Sequence, residues 1–208
     1  EGTPLRPQRT LRRTAETTGI GFFTGADVTV RFLPAPVDYG IAFQPVDLAD
    51  SEPIPALIEY TVPRRRRTSI EHRGVTVEMT EHVLAALAGL QIDNCLVQLN
   101  APEPPGCDGS SIAFVETLLE AGIDDQNALR QQFVIENSVR ISADDESSEI
   151  SAKPSIHDAL TIEYQLDYGT SSPIPPQNFA IKITPESFVR ELAFARTFVL
   201  ESEVASLK

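Results

Sequence analysis

The chain has few residues with which to cross-link itself or hold a metal: its 208 residues include two cysteines, one methionine and three histidines. Cys95 and Cys107 lie in unlike settings. Two cysteines are too few for a disulfide scaffold, and no C-x-x-C pair exists to form a zinc knuckle. Free thiols in a reducing cytoplasm are the expectation. No apolar run approaches the roughly 18 residues that a membrane-spanning helix needs. Positive charge is also scarce: 17 Lys and Arg stand against 30 Asp and Glu, for a formal net charge of −13. Neutralising phosphates requires clustered cations, so this balance argues against nucleic acid as the main partner. The exception is the run Arg64–Arg67, which reads as a solvated loop. The first residue, Glu1, is not preceded by a basic-then-apolar leader, so a processed form without an export signal is expected.

The remaining composition, 41% hydrophobic and 23% charged, is that of a globular protein able to bury a core. Val28–Leu33 alternates apolar and polar residues as a half-buried strand does, and Pro34 ends it. Before it, Gly19–Gly25 carries three glycines, the pattern of a strand, a tight turn and a strand. Cys95–Leu99 is another strand. A helix is predicted from Thr80, as N-cap, to a stop at Gly89, with Val83, Leu84, Leu87 and Ala88 as its apolar stripe. A second helix should follow Asp108-Gly109. Ser110 or Ser111 would cap it, Ile112, Val115, Leu118 and Leu119 would be buried, and Gly122 would end it.

The polar stretch Asp124–Asn127 reads as a boundary. Past it, Val134–Ile141 and Leu160–Leu166 are predicted strands around the acidic loop Asp144–Glu146, and Ala180–Ile183 is a third. Ser171–Pro176 is a connection, and Thr184-Pro185 starts a helix with proline at its first position. The chain stops at Lys208 within a half-polar helical pattern. Two units follow, 1–126 and 127–208, the second expected to be incomplete.

Of the histidines, His72 and His157 fall in polar turns and read as surface residues. His82 differs because it follows Glu81 in the first turn of an otherwise apolar helix. Consecutive helical residues project about 100° apart, so both side chains could face a cleft lined by the helix N-terminus. A zinc hydrolase uses such a pair, the imidazole as ligand and the carboxylate as base. The same two residues could equally be the solvated first turn of a capped helix, since no H-E-x-x-H is present. Asp108-Gly-Ser-Ser111 is first of all a capping turn. There is no Walker loop and no dinucleotide fingerprint, because Gly19-x-Gly21 lacks the remaining spacing.

Five segments occur together and in order: Gln8-Arg-Thr-Leu11; Thr18–Gly25; Thr80–Gly89 running on to Ile92-Asp-Asn94; Ala101–Pro105 with Asp108-Gly-Ser110; and Ala195-Arg-Thr-Phe198. This set resembles the bacterial UDP-3-O-acyl-N-acetylglucosamine deacetylases, zinc amidases of lipid A synthesis. The resemblance runs from about Gln8 to the last residues. It implies an α+β fold of two similar two-layer sandwich domains, each a sheet packed on two helices, with the active site at their junction.

Carried over by motif, Glu81 is the catalytic base, His82 a Zn²⁺ ligand, and Thr197 the hydroxyl that helps hold the oxyanion. Phe198 and Thr68 would line the substrate, and Asp108 would give structural support. The implied reaction has Glu81 deprotonate a zinc-bound water that attacks the acetamide, with a later histidine protonating the leaving amine. The implied substrate is UDP-3-O-acyl-N-acetylglucosamine, and the implied protein is cytoplasmic and monomeric, without nucleic acid or an integral membrane segment. Two departures stand out. The family's other zinc ligands, on a His-Lys-x-x-x-Asp helix, and its later histidine are not found before Lys208, and Phe23 stands where the family usually has histidine. A shortened, non-catalytic homologue serving as a binding or structural module is therefore the alternative.

Overall fold

The structure, a computed structural model, describes residues 5–144, 148–155, 159–170 and 172–198. Nine short strands and two helices fill the first part: β1 (Pro7–Leu11), β2 (Ala15–Ile20), β3 (Asp27–Pro34), β4 (Ile41–Pro45), β5 (Ile54–Pro55), β6 (Thr61–Val62), β7 (Ser69–His72), β8 (Val75–Val77), α1 (Glu81–Gly89), β9 (Cys95–Leu99) and α2 (Ile112–Ala121). A five-stranded sheet in the order β2-β3-β9-β4-β5 forms one layer, mostly antiparallel but with β4 parallel to β9. Helices α1 and α2 bury their apolar faces in the same core as that sheet, which makes the α+β layering expected from the pattern. Phe32 of β3 and Phe114 of α2 meet edge to face, their ring centroids 6.3 Å apart, in the fully buried centre. A separate three-stranded sheet, β6-β7-β8, follows the first layer; its β7–β8 turn is Arg73-Gly74, both at positive φ, as a two-residue hairpin prefers.

Several details depart from the sequence pattern. The buried face of α1 is Val83, Ala86 and Leu87, continued by Leu90 past its end, while Ala88 is exposed. In α2 it is Phe114, Val115, Leu118 and Ala121; Leu119 is exposed and Ile112 half-buried. Both faces keep helical spacing, and the bulk of Phe114 turns α2 towards the sheet. Thr80 precedes α1 as expected but does not cap it. It is already helical in φ and ψ, and its hydroxyl donates to the Thr68 carbonyl at 3.3 Å.

The polar stretch expected as a boundary is a strand. β10 (Ile123–Leu129) pairs antiparallel with β1, so the division between residues 126 and 127 falls inside an element tied to the first unit. Its polarity comes from its partner: Asp124 and Asp125 meet Arg12 and Arg9, each at 2.9 Å, so the alternating apolar signal of a strand is missing.

Beyond β10 come β11 (Val139–Ser142), β12 (Glu149–Ala152), β13 (Thr161–Leu166) and β14 (Gln177–Lys182). They form two antiparallel pairs, β11–β12 and β13–β14, rather than one sheet among the described residues. The strand predicted from Val134 begins only at Val139. The helix start at Thr184 is as expected: α3 (Pro185–Ser187) has proline in its first turn, and Thr184 and Ser187 make reciprocal capping hydrogen bonds of 3.1 and 2.9 Å. It continues as a π-helical turn, Phe188–Leu192. Phe188 packs where a Cβ on Gly89 would stand, and Ala193 is fully buried, so this segment is docked on the end of α1. The helical pattern expected towards Lys208 lies, from residue 199 on, outside the described residues.

Candidate active site

The first turn of α1 sets Glu81 and His82 side by side, both half-buried. Two tertiary contacts orient this turn. The Thr68 backbone N–H donates to the Glu81 carboxylate at 3.0 Å, and the Thr68 carbonyl accepts from the Thr80 backbone N–H at 3.2 Å. Thr68 therefore meets the site through its backbone, while its side chain is exposed. Met79, just before the helix, is in the left-handed region at φ 56°, which turns the chain sharply into α1. Glu81 also lies where the partial positive charge of a helix N-terminus favours a carboxylate. His82 makes no hydrogen bond or ion pair with the described residues.

A second cluster forms where the Asp108 turn meets the end of the described chain. Asp108 Oδ1 accepts from the Ser110 backbone N–H at 3.0 Å and from its hydroxyl at 2.6 Å; these bonds hold the carboxyl below its ordinary value of 3.8, helped by the nearby Arg196 charge. The Ser111 N–H donates to the Ala193 carbonyl and the Thr197 N–H to the Gly109 carbonyl, at 3.0 and 3.3 Å. Asp108 thus shapes the turn against which Thr197 is laid. The expected role of Ser110 or Ser111 as cap is partly met: the Ser110 hydroxyl accepts from the Ile112 N–H at 3.2 Å, and Ser111 makes no side-chain cap. Thr197 and Phe198 are exposed, and the Phe198 ring meets Tyr168 edge-on at 6.4 Å. Among the described residues no hydrogen bond joins this cluster to the Thr68–Glu81 pair.

Sequence reasoning passed over Glu103. It is 2% exposed and accepts from the backbone N–H groups of Phe23 and Thr24 at 2.9 and 2.6 Å, so a buried carboxylate clamps the turn after β2. Its Oε1 would lie 2.7 Å from a Cβ on Gly21, which is why glycine is required there. Phe23 turns its ring outward under the Arg67 guanidinium, 4.3 Å from the centroid.

The motif residues Gln8 and Asn94 are structural. Asn94 Nδ2 donates to Gln8 Oε1 at 2.8 Å and its Oδ1 accepts from the Gly40 N–H at 2.8 Å. They border an open cavity beyond the C-terminal end of α1 and so away from Glu81. His72 is a strand residue beside Tyr60, with ring centroids 5.3 Å apart, rather than part of a turn, and His157 lies outside the described residues. No helix among the described residues is long and apolar enough to cross a membrane.

An acid–imidazole pair at a helix start in an α+β chain does not by itself define an activity, and comparison with known proteins narrows the class. The chain belongs to the UDP-3-O-acyl N-acetylglycosamine deacetylase (LpxC) family, whose model matches residues 8–208. It is 41% identical over 200 residues to the bifunctional enzyme LpxC/FabZ of Chlorobaculum tepidum, covering 96% of this chain and 42% of that protein. It is 36% identical over 201 residues to the UDP-3-O-acyl-N-acetylglucosamine deacetylase of Myxococcus xanthus, covering 97% and 62%. With the Bacteroides thetaiotaomicron LpxC/FabZ the identity is 34%, over 96% and 42%. The chain therefore spans roughly two to three fifths of the length of these curated relatives.

Proposed function

We propose that the chain serves hydrolysis of the N-acetyl group of UDP-3-O-acyl-N-acetylglucosamine, releasing acetate in the committed step of lipid A biosynthesis. The observation that carries this reading is the oriented Glu81 carboxylate beside His82 at the start of α1, in a chain of the deacetylase family. In the reaction, Glu81 takes a proton from the water that attacks the acetamide carbonyl. The Thr197 hydroxyl donates to the oxyanion that develops on the carbonyl oxygen. Phe198 and the loop at Thr68 contact substrate, and Asp108 holds the turn behind Thr197. A cytoplasmic, monomeric protein built of two similar sandwich domains belongs to the same proposal.

Zinc enters this reading through His82 alone. Among the described residues no group of three His, Cys, Asp or Glu side chains could hold a metal ion, and such centres normally take three protein ligands. The described donors do not fit a complete zinc centre. The alternative reading is a shortened, non-catalytic homologue serving as a binding or structural module.

Acetate release from UDP-3-O-acyl-N-acetylglucosamine, measured for the chain and its Glu81→Ala variant, separates the two. Loss of a general base should lower turnover by about 10²- to 10⁴-fold. Equal turnover in the variant removes Glu81 from the mechanism, and no turnover in the parent favours the module.

A further inference from the structure

A cavity of about 380 Å³ opens where the β1–β10 ribbon, the turn between β3 and β4 and the start of β9 come together. It lies past the far end of α1, and the reaction proposed above makes no use of it. Its walls carry charge of both signs, Asp38 from the turn and Asp93 and Arg130 from beside β9 and β10.

These groups are held in place by bonds that leave part of their capacity unused. Gln8, 6% exposed, donates to Asp38 Oδ1 at 2.6 Å and accepts from the Asp38 N–H at 3.0 Å. Asn94, 1% exposed, accepts from the Gly40 N–H at 2.8 Å and so fixes the other side of the same turn. Asp38 itself stands in the left-handed region at φ 62°, a conformation that the surrounding bonds must hold. Its Oδ2 accepts no hydrogen bond among the described residues.

Arg130 pairs through Nε with Asp93 Oδ1 at 3.2 Å, and its two terminal nitrogens have no partner among the described residues. Asp93 is saturated. It also takes Arg6 at two points, 2.6 and 2.9 Å, and the Arg9 N–H at 2.8 Å. What stays available to a ligand is therefore one carboxylate oxygen at Asp38 and the guanidinium tip of Arg130. Both are oriented before anything binds, which reduces the ordering cost of association.

A ligand of a single charge is poorly served here. An anion drawn to Arg130 meets Asp38, and a cation drawn to Asp38 meets Arg130. A molecule with a cationic donor and an anionic acceptor a few atoms apart satisfies both, and a free α-amino acid has that head group. We propose that this cavity binds a free α-amino acid, its ammonium on Asp38 and its carboxylate on Arg130. The volume falls within the range of small-molecule sites and leaves room for a side chain. The proposal does not depend on the reaction inferred above.

The test is a titration of the full chain with L-glutamine, whose side chain is uncharged, followed through backbone amide chemical shifts. Saturable shifts should centre on Asp38, Gly40 and Asn94 and leave Thr68 and Glu81 unmoved. N-acetyl-L-glutamine, which lacks the ammonium, and L-glutaminamide, which lacks the carboxylate, should each bind about tenfold or more weaker. Asp38→Asn keeps an acceptor for Gln8, and Arg130 is exposed, so Asp38→Asn and Arg130→Gln should keep the parent's melting behaviour. Asp38→Asn should weaken L-glutamine binding and no longer distinguish it from the N-acetyl form. Arg130→Gln should lose discrimination against L-glutaminamide in the same way. The absence of saturable shifts with L-glutamine overturns the proposal, as do shifts centred on Thr68 and Glu81 instead. Binding of either blocked form as tightly as L-glutamine by the parent, or unaltered binding in either variant, also overturns it.

Discussion

The backbone N–H of Thr68 donates to the carboxylate of Glu81 across 3.0 Å, so the loop after the arginine run and the first turn of α1 form one unit. A second bond, from the Thr80 N–H to the Thr68 carbonyl, makes the link two-way. The base proposed for catalysis is thereby aimed by a main-chain donor rather than by a side chain. Thr68→Ala should change little there.

That bond can be read without any assay of activity. In Glu81→Ala the Thr68 amide loses its acceptor, and its hydrogen exchange should quicken by about fivefold or more. Glu81→Gln, which keeps an acceptor oxygen, should restore much of the protection. Equal exchange in all three proteins would show that the bond does not persist in solution.

Glu103 should be a stability residue. Truncating it in Glu103→Ala leaves the Phe23 and Thr24 amides without their acceptor, at a cost of about 1–3 kcal/mol. Glu103→Gln retains one carbonyl oxygen and should lose less. Urea denaturation followed by far-ultraviolet circular dichroism orders the three proteins.

Gly89→Ala places a methyl group in the Phe188 ring and should loosen the docking of residues 188–193 on α1, costing about 1–3 kcal/mol. Phe188→Ala opens the space again. The double variant should therefore be less destabilised than the sum of the two singles. Strict additivity in a denaturation series would mean that the two residues do not meet.

The two thiols should separate by reagent and by pH. Cys107 is exposed and Cys95 buried, so a water-soluble disulfide reagent should label Cys107 in the native protein and Cys95 only on unfolding. Burial pushes the Cys95 thiol up from 9.0 to about 12. A raised value means the folded state holds its proton more tightly. The associated stability is complete below about 9 and is lost as pH rises towards about 12. Cys95→Ala should flatten that alkaline decline, as followed by unfolding free energy against pH.

Much of this was legible in the sequence because it is local. Pro34 ends β3, Gly122 ends α2 at φ 75°, and Thr184 caps α3, each through a conformational preference of the residue itself. The Glu81-His82 pair was visible for the same reason, as was the turn around Gly21. Strand β10 was not, since its sequence reads as a polar link until Arg9 of β1 and Arg12 just after it are beside it.

By itself, then, the sequence determined the α+β pattern, the helix limits and the family motifs, all of which depend on neighbours a few residues apart. Only the tertiary structure decided that Glu103 clamps the turn from 79 positions away, at Thr24. It also decided that Asn94 pairs with Gln8, and that Phe23 faces Arg67. These are pairings across long stretches of chain, and a polar or aromatic residue carries no local mark of the partner that will satisfy it.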